Sequence, residues 1–285
     1  MTTSNTSLYR RRKVTNVIGL WLSGVAMAIG LAGLLWILWT LFYNGLGALS
    51  IDFFTKSTPA PGTQGGGLAN AIVGSLMMVG VVTVVSTPIG ILAGIYLAEF
   101  GERSRFAEIT RFVTDVMLSA PSIVIGLFVY AIAVATVKQF SGWAGSLALA
   151  LIAVPVIVRT TENMLKLVPG SLREAAFALG MPRWKVSLAV TLKAVKGGVI
   201  TGVLLAIARI FGETAPLLFT ALSNQFFTTD MSKPMASLPV VIYNFAMSPY
   251  AEWQQLAWGG AALIALIVLT INILARVLFR EKAQG

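Results

Sequence analysis

The chain has 285 residues, of which 56% are hydrophobic and only 11% charged, with no Cys and no His; its mean hydropathy is +0.82. Soluble domains carry about 25% charged residues, so the bilayer is the expected solvent and no large soluble domain fits beside the apolar runs. The net charge of +10 points to membrane topology rather than nucleic acid once the charges are placed along the chain, and the missing Cys excludes disulfides, thiolate metal sites and cysteine nucleophiles together.

Residues 1–16 are polar and carry Arg10, Arg11, Arg12 and Lys13. The apolar run after them, 17–43, is 27 residues long. A signal-peptide core is about 7–15 residues, so this run reads as an uncleaved first span. About 20 apolar residues cross a hydrocarbon core of about 30 Å, and five further runs follow at 69–98, 112–137, 143–161, 197–222 and 254–280. The expected fold is therefore an all-α membrane protein with six transmembrane helices. Gly65, Gly66 and Gly67 lead into the second span. Pro88, Pro121, Pro155 and Pro216 fall one each in spans two to five, while the first and sixth have none. This suits kinked inner helices around a pathway, or ordinary membrane prolines whose freed carbonyls find other partners. The pairs Gly90/Gly94 and Gly198/Gly202 permit close helix contact. No solenoid-type repeat is present.

The loop 162–196 between spans four and five contains Pro169-Gly-Ser-Leu-Arg-Glu-Ala-Ala-Phe-Ala-Leu-Gly-Met-Pro182. Ser171 and Glu174 stand at capping-box spacing, and Gly180 with Pro182 supplies a stop. Leu172, Ala175, Ala176 and Leu179 then form one narrow apolar stripe, with Phe177 off the stripe and four residues from Arg173. A helix this short is not stable alone, so it must dock on another surface, either a protein or the lipid headgroups.

Span five places Arg209 at mid-membrane, where a charge costs about 2.5–3.5 kcal/mol on insertion scales, with Glu213 one turn away on the same face. Arg stays charged and grips a tetrahedral oxyanion through paired hydrogen bonds, so the pair is either an anion contact or a structural Arg–Glu clamp. Arg159, near the end of span four, is a second candidate, with snorkelling to the headgroups as the plain alternative and Asp115 as its expected partner. Beyond span five, Ser237–Met247 is apolar but too short to cross.

Of 21 Lys and Arg, 17 share one side: the N-terminal tail, the loop 99–111, the loop 159–196 and the C-terminus from Arg276. Lys56, Lys138 and Lys233 occupy the alternate loops. The positive-inside bias puts both termini in the cytoplasm and loops 44–68 and 223–253 outside.

Glu174-Ala175-Ala176 followed by Gly180, between the fourth and fifth of six spans, resembles the loop of bacterial ABC importer permeases. That family uses the short helix to couple to its ATP-binding subunit, which assigns coupling to Glu174, Ala175, Ala176, Phe177 and Gly180. The family often has Pro after an apolar residue further along, where this chain has Lys193 after Leu192. Gly66–Ser75, Ala208–Pro216 and Leu222–Phe227 are similar to the A-type permease family of the phosphate-specific (Pst) importers, over nearly the whole chain after the tail. The resemblance implies a type I ABC importer permease of the bacterial inner membrane that carries inorganic phosphate. It also implies a second, related permease as partner, two copies of an ATPase and a periplasmic phosphate-binding protein; independently of the resemblance, the charge and position of Arg209, Glu213 and Arg159 make them the expected substrate-pathway residues.

No Lys follows a Gly, so the phosphate loop of nucleotide-binding subunits is absent and ATP with Mg is expected on another polypeptide. No catalytic or metal-binding residues are expected in this chain, because His, Cys and clustered intramembrane carboxylates are all missing. The same scaffold carrying sulfate or molybdate is an alternative, since charge alone does not separate tetrahedral anions. A secondary transporter or channel is another, but it leaves the Glu-Ala-Ala loop without a role and lacks the internal repeats common among such proteins. The topology has a direct check: Cys placed at Ser57 or Ser232 should react with an impermeant thiol reagent in intact cells, and Cys at Ala178 should not. The reverse pattern would invert the assignment.

Overall fold

The computed structural model describes residues 6–278 apart from 64, 102 and 103. Residues 1–5 of the expected tail, the end of the sixth span, and Arg103, Arg280 and Lys282 lie outside them. Every regular element among the described residues is helical. Four helices are long and apolar enough to cross a membrane: α1 (Thr6–Gly45), α3 (Ala69–Glu99), α6 (Gly142–Lys166) and α12 (Ala251–Leu278). Two bent pairs raise the number to six: α4 (Arg105–Ser119) with α5 (Ser122–Val137), and α8 (Arg183–Ala194) with α9 (Lys196–Phe211). Short helices fill the gaps: α2 (Ile51–Thr55), α7 (Gly170–Ala178), α10 (Ala215–Thr220) and α11 (Leu238–Ala246). The side that carries α7 and α8 is called the basic side below, and the opposite one the far side.

α6 is the hub. Its apolar window is 61% buried, against 28% for α3, 17% for α12 and none for α1. Helices in lipid gain nothing from hiding apolar surface from one another, so close approach depends on small residues. Both glycine pairs serve that end. A Cβ on Gly90 would fall 2.6 Å from Ile157, and one on Gly94 2.6 Å from Thr161, so α3 lies against one flank of α6. Gly202 abuts Thr160 and Gly198 abuts Met164, which sets α9 antiparallel on another flank.

Three sequence expectations are modified by the geometry. The basic stretch Arg10–Lys13 lies on the same helix as the apolar run: α1 runs unbroken for 40 residues, about 60 Å, because no Pro or Gly separates the cationic turn from the apolar run. The expected span 112–137 is broken at Ser119-Ala120-Pro121, where α4 and α5 meet at 108°. Proline forbids the helical conformation to the residue before it, and Ala120 is accordingly extended, with ψ 135°. The expected span 197–222 is likewise interrupted after Phe211, resumes at Ala215 with Pro216 in the first turn, and meets α8 at 76° across Val195.

The far side is closed by polar ties between distant segments. Asn70 donates to the carbonyls of Asn224, at 2.8 Å, and Gln225, at 3.3 Å. Ser75 accepts the Leu238 N–H at 2.8 Å and so starts α11, which buries Leu238, Val240, Val241 and Phe245. Two of the segments singled out in the sequence, 66–75 and 222–227, thus meet in space. Gly65 and Gly66, with φ of 86° and 89°, form the turn that brings the chain from α2 into α3.

Candidate functional site: two arginine stations and a pinned loop helix

Arg209 lies in the last turn of α9, immediately before the break. A cation suits the negative end of a helix dipole. Its Nε stands 3.7 Å from Oε1 of Glu213, too long for a hydrogen bond, and its side chain is 48% exposed against 16% for Glu213. No other ion pair reaches its guanidinium among the described residues.

Arg159 on α6 is half-exposed and sits 3.0 Å from Asp115 of α4 and 3.5 Å from Glu162. The α6–α9 packing fixes the relative depth of the two arginines. Thr160 faces Gly202, and Arg209 is seven residues further along α9, so it lies about 10 Å toward the far side from Arg159.

Glu162, which the sequence reading did not single out, is the buried centre of the basic side. Its side chain is 1% exposed, and its Oε1 takes 2.7 Å bonds from Arg111 Nε and Lys166 Nζ. Arg111 also donates to the Leu97 carbonyl at 2.6 Å, stitching α4 to α3 and α6. One signal was present in the sequence: Arg159, Glu162 and Lys166 stand at i, i+3 and i+7 on one helix face. The Arg111 partner, 51 residues away, was not visible.

The loop helix α7 also differs in detail from the expectation. It begins at Gly170 with Pro169 as its cap and no side-chain capping bond, so Ser171 and Glu174 do not form a capping box. Proline at that position sets the helix entry without a side-chain acceptor. The stop is as expected: Gly180 takes φ 78°, its N–H bonds the Phe177 carbonyl and the Met181 N–H bonds the Ala176 carbonyl, a Schellman ending.

What holds α7 is Arg173, a residue given no such role from sequence. It grips Glu99 at the end of α3 with Nη2 at 2.8 Å and donates to the Val168 and Leu165 carbonyls at 2.6 and 2.8 Å. Arg173 therefore turns inward toward Glu99 and is engaged there, while it and Phe177 line one cavity. Of the apolar stripe only Ala176 is buried; Ala175, Leu172 and Leu179 are exposed, as are Glu174 and Phe177. Among the described residues no group of three or more potential metal ligands comes together.

A model of the family described as the inner membrane component of binding-protein-dependent transport systems matches residues 90–282. The phosphate transport system permease protein PstA of Yersinia pestis is 61% identical over 274 residues, 96% of this chain and 92% of that protein. The protein of the same name from Haemophilus influenzae is 57% identical over 99% of this chain and 100% of its own length. Among solved structures, a chain of the inward-facing MetNI methionine ABC transporter matches with a TM-score of 0.62 at 19% identity, over 75% of this chain and 94% of that one. A chain of a bacterial ABC transporter that imports the acidic polysaccharide alginate matches at 0.59 and 14% identity, over 96% and 100%. At such identities the likeness concerns the fold.

The Glu162 arrangement yields a stability prediction. Removing one member of a buried charged cluster costs about 3–5 kcal/mol, and Arg159 and Lys166 keep some access to water, which puts the loss toward the lower end. Glu162→Gln should lower the melting temperature of the purified protein clearly, whereas Asp115→Asn, whose side chain is 50% exposed, should change it little. Equal effects would remove Glu162 from its central place.

Proposed function

Because the chain belongs to the family of inner membrane components of binding-protein-dependent transport systems, we propose that it is the permease subunit of an ATP-driven importer whose cargo is inorganic phosphate. The fold is that of the type I ABC importer permeases. The cargo rests on one observation above all: identities of 57–61% over nearly the full length to permeases named for phosphate transport. Nothing comparable favours sulfate or molybdate.

The setting we propose is the bacterial inner membrane, with the basic side cytoplasmic. The partners are a second, related permease, two copies of an ATP-binding subunit that holds ATP and Mg, and a periplasmic phosphate-binding protein. The chain itself performs no chemistry on the substrate. It offers a surface for the ATPase and a path for the anion.

Two features support the path. Arg209 presents a guanidinium whose only ion-pair partner among the described residues stands 3.7 Å away, and it is half-exposed in the single chain. A charge at that depth is stable only against protein or water, so its exposed face is the one we assign to the partner permease and the pathway between them. Incoming phosphate replaces Glu213 as the closer partner of Arg209. Arg159, about 10 Å further in, repeats the device with Asp115. Phosphate thus exchanges between two arginines, each with a carboxylate ready to take its place. Exchange between them runs in either direction when the two grips are similar in strength, and each guanidinium keeps part of its surface exposed beside its carboxylates.

The coupling surface is supported by the exposed stripe of α7. Leu172, Ala175 and Leu179, with Glu174 and Phe177, face outward while Arg173 anchors the helix from behind. Motion of the ATPase against this stripe is delivered through Arg173 to Glu99 and the end of α3. Gly180 permits the sharp exit that keeps the stripe clear.

Coupling has a separate test from transport chemistry. Glu174→Lys or Gly180→Pro should weaken recovery of the ATPase in a pull-down and abolish uptake, with membrane abundance preserved; normal recovery and uptake would remove the role. For the pathway, Arg209→Gln removes charge-assisted hydrogen bonds worth about 1.5–3 kcal/mol each, so labelled-phosphate uptake should collapse while the complex assembles. Arg209→Lys should fail nearly as badly, since an ammonium does not reproduce the planar fork. If the pair is only a clamp, Arg209→Gln with Glu213→Gln removes both charges and restores uptake; that recovery would make Arg209 structural.

A further inference from the structure

Where α3 and α6 end on the basic side, they enclose with α7 and α8 a cavity of about 370 Å³ lined by Glu99, Phe100, Lys166, Arg173, Phe177 and Arg183, among others. Its charges do not cancel. Glu99 is satisfied by Arg173, and Arg173 commits four of its five donors to Glu99 and two carbonyls, so neither is the main open group for a ligand. Lys166 gives one bond, to Glu162 at 2.7 Å, and its side chain is 52% exposed, which leaves two of its three donor directions open. Arg183 makes no ion pair among the described residues, and only its carbonyl is engaged, by the Ser187 hydroxyl at 3.0 Å.

With the adjoining network included, the carboxylates Glu99, Asp115 and Glu162 face five cations: Arg111, Arg159, Lys166, Arg173 and Arg183. Among the described residues of this network two positive charges are left over. The cavity stands at the ends of two membrane-crossing helices and therefore at the depth of the headgroups, with Phe100 and Phe177 supplying an apolar wall. Basic pockets between helix ends on this side suit phosphorylated headgroups, and an unengaged guanidinium is the group best shaped for a phosphoryl anion.

We propose that this cavity binds one phosphoryl anion between Arg183 and Lys166, supplied either by the headgroup of an anionic phospholipid or by free phosphate. The anion bridges the end of α6 to the start of α8 and so braces the loop on both sides of α7. It is a separate site from the Arg209 station. Its placement on the cytoplasmic face rests on the orientation proposed above, which the thiol-labelling pattern tests independently; the binding does not depend on that orientation.

The experiment uses the complete transporter in nanodiscs, open to solution on both faces, with Arg209→Gln and Arg159→Gln as background so that neither pathway station contributes. One arm measures retention of phosphatidylglycerol from mixed phosphatidylcholine–phosphatidylglycerol discs by native mass spectrometry. The other measures binding of labelled inorganic phosphate in discs of phosphatidylcholine alone. Arg183→Gln should reduce binding about tenfold or more, the equivalent of one lost charge-assisted grip, in the lipid arm if the source is a headgroup and in the phosphate arm if it is the free anion. Complex yield and melting temperature should be unchanged; should Arg183→Gln prove unstable, Arg183→Lys, which keeps the charge but loses the fork, is compared in its place and should bind more weakly than wild type. Binding in both arms that does not respond to replacement of Arg183, or no binding in either, overturns the proposal.

Discussion

A charge in a hydrocarbon layer must meet an opposite charge, a hydrogen-bond partner or water, and this constraint orders the molecule. The chain answers it in two ways. At the basic side, the buried Glu162 and the half-buried Glu99 are occupied by arginine and lysine. These contacts tie α3, α4, α6 and α7 into one block. At the arginine stations the answer is incomplete: Arg209 and Arg159 remain half-exposed beside carboxylates that do not saturate them. Saturated pairs build a frame, and the unsaturated ones are where we place the anion.

The frame needs an axle, and α6 is one because small residues let two neighbours approach it closely. Gly90 and Gly94 bring in α3, and Gly198 and Gly202 bring in α9. Around that axle the chain is broken where proline or glycine demands it, at Ala120-Pro121 and at Gly212–Pro216. The second break sits beside Arg209 and Glu213. An interruption at mid-membrane is tolerated where it lines a cavity or is covered by protein, and the surface of the half-exposed arginine beside it is where we place that cover.

Composition and apolar run length made the helical membrane architecture legible, because lipid permits few alternatives. The interruptions were less so. Pro121 and Pro216 were visible, but whether a proline kinks a span or divides it depends on what packs against the bend, as Gly126 of α5 does against Pro216. At the loop helix the Gly180 stop was readable from local chemistry. The capping box was not real, since Pro169 starts the helix one residue early and leaves Ser171 inside the first turn. Arg173 was misjudged for a different reason: its partner Glu99 is 74 residues away, and a single sequence gives no sign of such a pair. Glu162 lay between, its two helical neighbours readable from spacing and its third partner hidden in α4.

We place the exposed face of Arg209 on an anion-accessible path rather than in lipid. Leu205, one turn away on the same face and 48% exposed, reports on this without altering the arginine. In the assembled transporter, Cys at Leu205 should react with a small charged thiol reagent, and millimolar phosphate delivered through the binding protein should slow that reaction. Modification by membrane-soluble reagents alone, with no effect of phosphate, would place the face in lipid and contradict the account.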